Sequence, residues 1–192
     1  MIVEFVIPTF NRVNPLFTML YSLINQTNPN WKAHVVIDNV KDSKAEEIVK
    51  SFNDTRVYYT YLDKRYNDWG HTPRNYGKQN SDADYIIMTG DDNYYVPVTV
   101  DWIIKYANLK DSVNPGFIYW QMVHSHGGYC HFNCEPFHGR IDMGSFATRN
   151  DLAKQIQLGI TFAADGDFVE EFKRRFPEEK RVKIPHILFV HN

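Results

Sequence analysis

The sequence predicts an α/β protein in which a mainly parallel central sheet carries helices on both faces, with a smaller lobe following it. Three observations lead there. Short, nearly continuous β-branched runs alternate with helical patterns through the first half, the spacing that parallel strands and crossover helices require. Those runs end in polar turns, at Pro8, at Asp38-Asn39 and at Gly90-Asp91-Asp92-Asn93, and ligands of open α/β sheets bind outside the carboxyl ends of the strands. Finally, 192 residues with 43% hydrophobic and 23% charged side chains suit one domain with a full core, read as a single unit over 1–192 with halves at 1–95 and 96–192.

The elements follow in order. Ile2 to Ile7 is an apolar run stopped by Pro8, as in a buried strand. Asn14 and Pro15 supply an N-cap and an N1 proline, and Leu16, Met19, Leu20, Leu23 and Ile24 then recur at helical spacing. A second strand spans Ala33 to Ile37. Ser43-Lys-Ala-Glu46 is a capping box opening a helix with Ala45, Ile48, Val49 and Phe52 inward. Arg56 to Leu62 is a third strand, a short helix starts at Pro73, and Tyr85 to Thr89 is a fourth strand broken by Gly90. Thr99 caps a helix through Leu109. The second half is less regular: a strand from Gly116 to Val123, a Gly/His/aromatic stretch over 124–142, a segment from Gly144 to Thr148, helices from Asp151 and over Gly166 to Phe176, and a last strand from Val182 to Val190.

Composition excludes several classes. Lys and Arg number 21 against 23 Asp and Glu, a formal charge of −2 that lacks the basic excess of a nucleic-acid groove. No apolar run approaches the roughly 18 residues of a membrane span. The N-terminal segment has no basic region before its apolar run, so no secretory signal is expected and a cytoplasmic location is. Two cysteines are too few for a disulfide framework.

Adjacent carboxylates at the end of a buried strand, as in Asp84-Tyr-Ile-Ile-Met-Thr-Gly-Asp-Asp-Asn93, call for a cation; Mg²⁺ or Mn²⁺ takes a few protein oxygens and completes its shell with water and phosphate, which suits a nucleotide diphosphate. The same four residues are also good turn chemistry. His124, His126, Cys130, His131, Cys134 and His138 are enough ligands for zinc, but at no standard finger spacing; alternatively they line a loop over a binding pocket, with Trp120, Tyr129, Phe132 and Phe137 as platforms for stacking on a sugar face.

In chain order, Val6-Ile-Pro-Thr-Phe-Asn-Arg12, Val36-Ile-Asp38, Gly70-His-Thr-Pro-Arg-Asn75 and Gly90-Asp-Asp-Asn93 resemble the nucleotide-sugar half of GT-A fold glycosyltransferases, most nearly family 2, over residues 2–95. The short length resembles the compact domains of large DNA viruses and phages, which would place the protein in the host cytoplasm. The resemblance implies a Rossmann-like GT-A fold and transfer of a sugar from a nucleotide-diphosphate donor, UDP-sugar ahead of GDP-sugar, to a hydroxyl of a glycan or glycoprotein. It also implies donor contacts at Pro8, Thr9, Asn11, Arg12, Asp38, Arg74 and Asp91. Metal contacts fall on Asp92 and Asp91, with His191 from the last strand, and a base assists inversion.

The acidic motif of the family is met at Ala163-Ala-Asp-Gly-Asp167, with Asp165 as base and Asp167 second, although Ala164 stands where the family has Glu; Asp165 is equally an N-cap for a helix. Gly90 stands where the metal motif's first Asp falls if Asp92 is its second, and Asn93 takes the last place if Asp91 is its first. The Gly70–Arg74 spacing is one residue short. Asp142 is a further carboxylate for sugar hydroxyls or for capping a turn. The rivals are a non-catalytic carbohydrate-binding module on the same fold, a sugar-1-phosphate nucleotidyltransferase, which would need a glycine-rich loop where Pro8-Thr-Phe-Asn-Arg12 stands, and a structural zinc protein.

Overall fold

In a computed structural model of the protein, residues 1–41, 43–111, 114–126 and 128–192 are described, Ser43 by its backbone alone, so the expected Ser43 capping box lies outside the described residues. Strand β1 (Val3–Thr9) is buried along its whole length and pairs in parallel with β2 (Trp31–Ile37) on one side. Outside β2 lies β3 (Val57–Tyr61), also parallel. The chain then returns to the other side of β1 to add β4 (Tyr85–Met88), so the order β3-β2-β1-β4 reverses direction at β1. A crevice opens at such a reversal because successive crossovers leave on opposite sides.

The crossovers bury the stripes their periodicity prescribes. Helix α1 (Val13–Ile24) turns Leu16, Met19, Leu20 and Leu23 inward, and α2 (Ser43–Ser51) turns Ala45, Ile48 and Val49 inward. Helix α3 (His71–Asn80) lies so close to the sheet that a Cβ on Gly77 would stand 2.4 Å from Cγ1 of Val6. That approach is available only to glycine.

Beyond β4 the sheet continues without a break, with β5 (Tyr94–Tyr95), β6 (Phe117–His124), β7 (Cys130–Phe132), β8 (Phe146–Arg149) and β9 (Arg181–His191). Among the described residues, nine strands make one sheet in the order β3-β2-β1-β4-β8-β6-β9-β5, with β7 a hairpin on β6. Strand β8 runs antiparallel between β4 and β6, whereas β9 is parallel to β6. Helices α4 (Thr99–Ala107), α5 (Asn150–Ala153) and α6 (Ala164–Arg175) complete the fold. Phe172 of α6 packs on Phe117, which stacks on Phe146 at 4.7 Å between centroids, so Phe172→Ala would cost about 3–5 kcal/mol.

Strand β9 is bent for a chemical reason. Trp120 faces Ile184 but Gln121 faces Ile187, so Pro185 and His186 bulge out where proline has no N–H for the ladder. The bulge lays His186 on the ring of Trp102 at 4.2 Å, and the pairing resumes to set His191 opposite His124.

Helix starts differ from the expected caps. The first bond of α1, from Leu16 N–H to Arg12 C=O, starts it at Val13, so Asn14 and Pro15 lie inside the first turn. Thr99 is the first residue of α4, not its cap: its hydroxyl is buried and donates to the carbonyls of Val96 and Leu188. Asp165 is the second residue of α6, which has no side-chain cap. Helix α3 begins at His71, two residues before Pro73. The segment expected as 144–148 is a 3₁₀ turn over Met143–Ser145 followed by β8, with Asp142 and Ser145 forming a capping box.

Candidate functional site

A cleft of about 600 Å³ lies at the carboxyl ends of β1, β2 and β4, closed on the far side by the end of β9 and the start of α6. Pro8, Thr9, Arg12, Asp38, Arg74, Asp91, Asp92, Asp165 and His191 all line it. Of the residues expected there, Asn11 is outside the lining; it takes the left-handed conformation (φ 53°) in the turn from β1 to α1, one that asparagine tolerates.

Asp38 sits just past β2 and is buried. Its carboxylate accepts the backbone N–H groups of Tyr66 (2.8 Å) and Asn67 (3.0 Å), so it holds the loop between β3 and α3 over the cleft. At the β4 end, Asp91 is buried and accepts the Thr9 hydroxyl at 2.7 Å. Arg12 bridges the acidic pair, with Nη1 at 3.2 Å from Asp91 and Nη2 at 2.9 Å from Asp92. Burial pushes the Asp91 carboxyl up to about 6, against the opposing pull of the Thr9 hydroxyl and the Arg12 charge.

Arg74 comes from the first turn of α3. Its Nε donates to the carbonyl of Thr89 at 3.0 Å and its Nη1 to that of Trp69 at 2.7 Å, which fixes the guanidinium beside the acidic turn. Burial lowers its basicity, and the charges of Asp142, Asp91 and Asp92 oppose that change. The turn into α3 depends on Gly70 at φ +80°, where a Cβ would meet the Pro8 ring at 2.8 Å.

The remaining wall comes from the second half. Asp142 accepts the Gly144 N–H at 2.8 Å and lies 3.7 Å from His191 Nε2. His191 stacks on His124 at 4.3 Å, and the neighbouring Asn192 N–H reaches the Asn93 side chain at 3.4 Å, which ties the end of β9 to the acidic turn. Asp165, half-buried, accepts the Gly166 N–H at 2.7 Å, and burial raises its pKa above the usual carboxylate range. Asp167 points instead to the Thr161 hydroxyl (2.8 Å) and is outside the lining.

Several contributors had not been picked out from the sequence: Arg65, whose guanidinium lies 3.7 Å over the Phe10 ring, and Asp68, His71, Trp69 and Phe162. Asp68 carried a signal, because an aspartate just before a helix start is a capping residue; it accepts the N–H and hydroxyl of Thr72 at 2.9 and 2.6 Å. Trp69 and Phe162 carried none, since only the fold brings 69 and 162 to one rim.

Two expectations about the 124–138 stretch are corrected. Trp120, Tyr129, Phe132 and Phe137 do not line the cleft: the pleat of β6 puts Trp120 in the core, and Phe132 packs against the core from β7. The six His and Cys residues do not gather as zinc ligands either. Among the described residues no three His, Cys, Asp or Glu side chains converge as a metal site, and Cys134 faces the core, where burial pushes its thiol up to about 12.

Comparison with known proteins agrees with this layout. The model of the family described as Glycosyl transferase family 2 matches residues 4–124. An uncharacterized glycosyltransferase of Rickettsia bellii is 24% identical over 140 residues, 72% of this chain and 20% of its own length. Residues 1–349 of Staphylococcus aureus TarS superpose with a TM-score of 0.81 at 16% identity, over all of this chain and 60% of that one, and the same fragment has been solved with UDP-GlcNAc. The mannosyltransferase PcManGT of Pyrobaculum calidifontis, solved with GDP-Man and Mn²⁺, gives 0.76 at 14% identity over 98% of this chain and 56% of that one. The fold is thus that of the GT-A glycosyltransferases, with the cleft at the strand ends where β1 and β4 meet. The chain belongs to glycosyl transferase family 2. It spans a fifth of the Rickettsia relative and three-fifths of the TarS fragment.

Proposed function

We propose that this chain transfers a glycosyl group from a nucleotide-diphosphate sugar, UDP-sugar before GDP-sugar, to a hydroxyl of a glycan or glycoprotein, with inversion at the anomeric carbon. The observation that supports this best is one cleft holding both halves of the chemistry: the Asp38, Arg12, Arg74, Asp91 and Asp92 cluster from the parallel half, and Asp165 from the other.

The charge of that cleft argues for a divalent cation. Six aspartates and three arginines line it, so with neutral histidines its formal charge is −3, and a diphosphate would be repelled without a counterion. The donor chemistry suits Mg²⁺ or Mn²⁺: Asp91 and Asp92 offer hard oxygens and His191 an imidazole on the wall of the same cleft. Among the described residues the three do not converge as a ready-made site, and Arg12 bridges the two carboxylates, so phosphate and water would supply most of the shell and Arg12 would give way. When bound, the ion would supply charge neutralisation to the leaving diphosphate.

The protein's own groups do the rest. Pro8, Thr9 and Asn11 shape the turn under the nucleotide, and Asp38 faces the nucleoside while holding the loop above it. Arg74 and Arg12 neutralise phosphate oxygens, Arg12 exchanging its carboxylate partners for them. Asp165 takes the proton of the acceptor hydroxyl as its oxygen bonds to the anomeric carbon and the bond to the diphosphate breaks. Its raised pKa makes it a stronger base, and such assistance is worth about 10² to 10⁴ in rate. A cytoplasmic location belongs to the same reading.

Calorimetry tests the donor site: UDP, then GDP, with and without Mn²⁺, and the better ligand on Asp92→Ala. Metal-dependent binding lost in the variant is expected. Failure of the folded protein to bind either nucleotide would overturn the transferase reading.

A further inference from the structure

The two most exposed aromatic side chains among the described residues both line the cleft: Phe162 at 84% and Trp69 at 63%. Leaving such rings in water forgoes the burial of some 150–250 Å² each. Loop mobility does not explain them, because the backbone beside each is pinned. Asn75 donates to the Leu158 carbonyl and accepts its N–H, both at 3.0 Å, and His71 Nε2 meets the Thr161 carbonyl at 2.9 Å. The Thr161 hydroxyl is tied to Asp167 at 2.8 Å. Trp69 holds a left-handed backbone (φ 56°), uncommon for a bulky residue, and its carbonyl is the one that accepts Arg74 Nη1. The two rings are brought to one rim through His71, whose ring lies 6.3 Å from that of Trp69 and whose Nε2 bonds the residue before Phe162.

We propose that Trp69 and Phe162 form an acceptor subsite that binds a pyranose ring by stacking, so that the acceptor is a carbohydrate rather than a protein side chain or a small alcohol. The inference rests on the transferase reading and names its acceptor class. A pyranose presents an apolar C–H face and a rim of hydroxyls; its recognition needs an aromatic face with carboxylates beside it. The cleft supplies both, with Asp165 three residues after Phe162 and Asp142 lining the same wall. A nucleobase would also stack, and the cleft offers it a separate ring in Phe10, which lies under Arg65.

The test uses the whole chain saturated with UDP and Mn²⁺. Binding to an array of pyranose glycans is followed by a titration of the best one, read by tryptophan emission and by calorimetry, with glycerol as the control. The expected result is saturable binding of at least one glycan and none of glycerol. Trp69→Ala and Phe162→Ala would each weaken it at least tenfold, Phe162→Tyr would restore it to within threefold, and UDP affinity would stay within twofold throughout. A blank array with UDP bound overturns the proposal, as do variants that keep full glycan affinity. A tenfold loss of UDP affinity in Trp69→Ala would overturn it by assigning that ring to the donor. Failure of UDP to bind the wild type removes the transferase reading and this proposal with it. If Trp69→Ala does not fold, Trp69→Leu and the exposed Phe162 variants carry the same decision.

Discussion

Asp91→Asn is expected to make the protein more stable at pH 8 while weakening its hold on the donor. The Asp91 carboxyl is buried and its pKa is pushed up to about 6 from an ordinary 3.8, which corresponds to about 3 kcal/mol against the charged form at about 1.4 kcal/mol per pH unit. The sign follows from proton binding. Above about pH 6 the native carboxylate carries the full cost. As pH falls from there towards 3.8 the native group binds its proton before the unfolded one does, so the cost fades, and below 3.8 it is gone. The amide is neutral at every pH and keeps an oxygen for the Thr9 hydroxyl, while the lost pair with half-exposed Arg12 is worth little. Asp91→Asn should therefore gain up to about 3 kcal/mol at pH 8, a rise in Tm of roughly 6–12 °C for a chain of this size. The gain should shrink to about a fifth of that value at pH 4, where the unfolded carboxyl is still partly ionised. Thermal unfolding of both proteins from pH 4 to 8 reads this directly, and comparing the two cancels the acid sensitivity of every other carboxylate. A variant less stable than wild type at pH 8, or a difference that does not fade towards pH 4, would refute the argument that burial dominates at this site.

The other outcomes follow from single contacts. Asp165→Asn should lower turnover about 10² to 10⁴-fold with UDP affinity within twofold, measured by UDP release and calorimetry. Gly70→Ala should cost about 1–3 kcal/mol in urea unfolding, since the new Cβ meets Pro8 at 2.8 Å in a left-handed conformation. Asn75→Ala leaves the buried Leu158 amide and carbonyl without their partner; a loss of about 1–3 kcal/mol and faster amide exchange over 156–162 are expected from denaturation and exchange mass spectrometry.

How far the sequence could be read depended on the range of the interaction behind each feature. The parallel half was legible because its signals are local: β1 is a hydrophobic run because both its faces are covered, and α1 shows its buried stripe every three or four residues. The place of Asp38 and Asp91 in the cleft was legible for a related reason, since strand ends fix both at the rim once the strands are known. Helix starts were read less well, because Asn14 and Thr99 look like caps but the backbone bonds from Arg12 and the buried Thr99 hydroxyl decide otherwise. Trp120 and Phe132 were expected at a sugar site on residue type alone; the register of β6 with β7 and β9 sends them inward, a fact that pairing across 60 residues creates and composition cannot show.

The same distinction explains how the two halves are joined. Helix α3 starts at His71 with Arg74 in its first turn beside the acidic turn, and along its length His71, Asn75, Lys78 and Gln79 bond the backbone of Thr161, Leu158, Ile156 and Lys154. Lys78 is fully buried, with burial lowering its pKa to about 8, a cost that an apolar residue would avoid. What the lysine provides is a donor long enough to reach the Ile156 carbonyl, which would otherwise be left without that partner. These polar side chains are unremarkable in sequence, since each looks like an ordinary exposed helix residue. Together they set the distance between the residues proposed to bind phosphate at one end of α3 and the segment that carries Phe162 and Asp165, so on the proposed reading these bonds along α3 fix the spacing of the donor and acceptor groups.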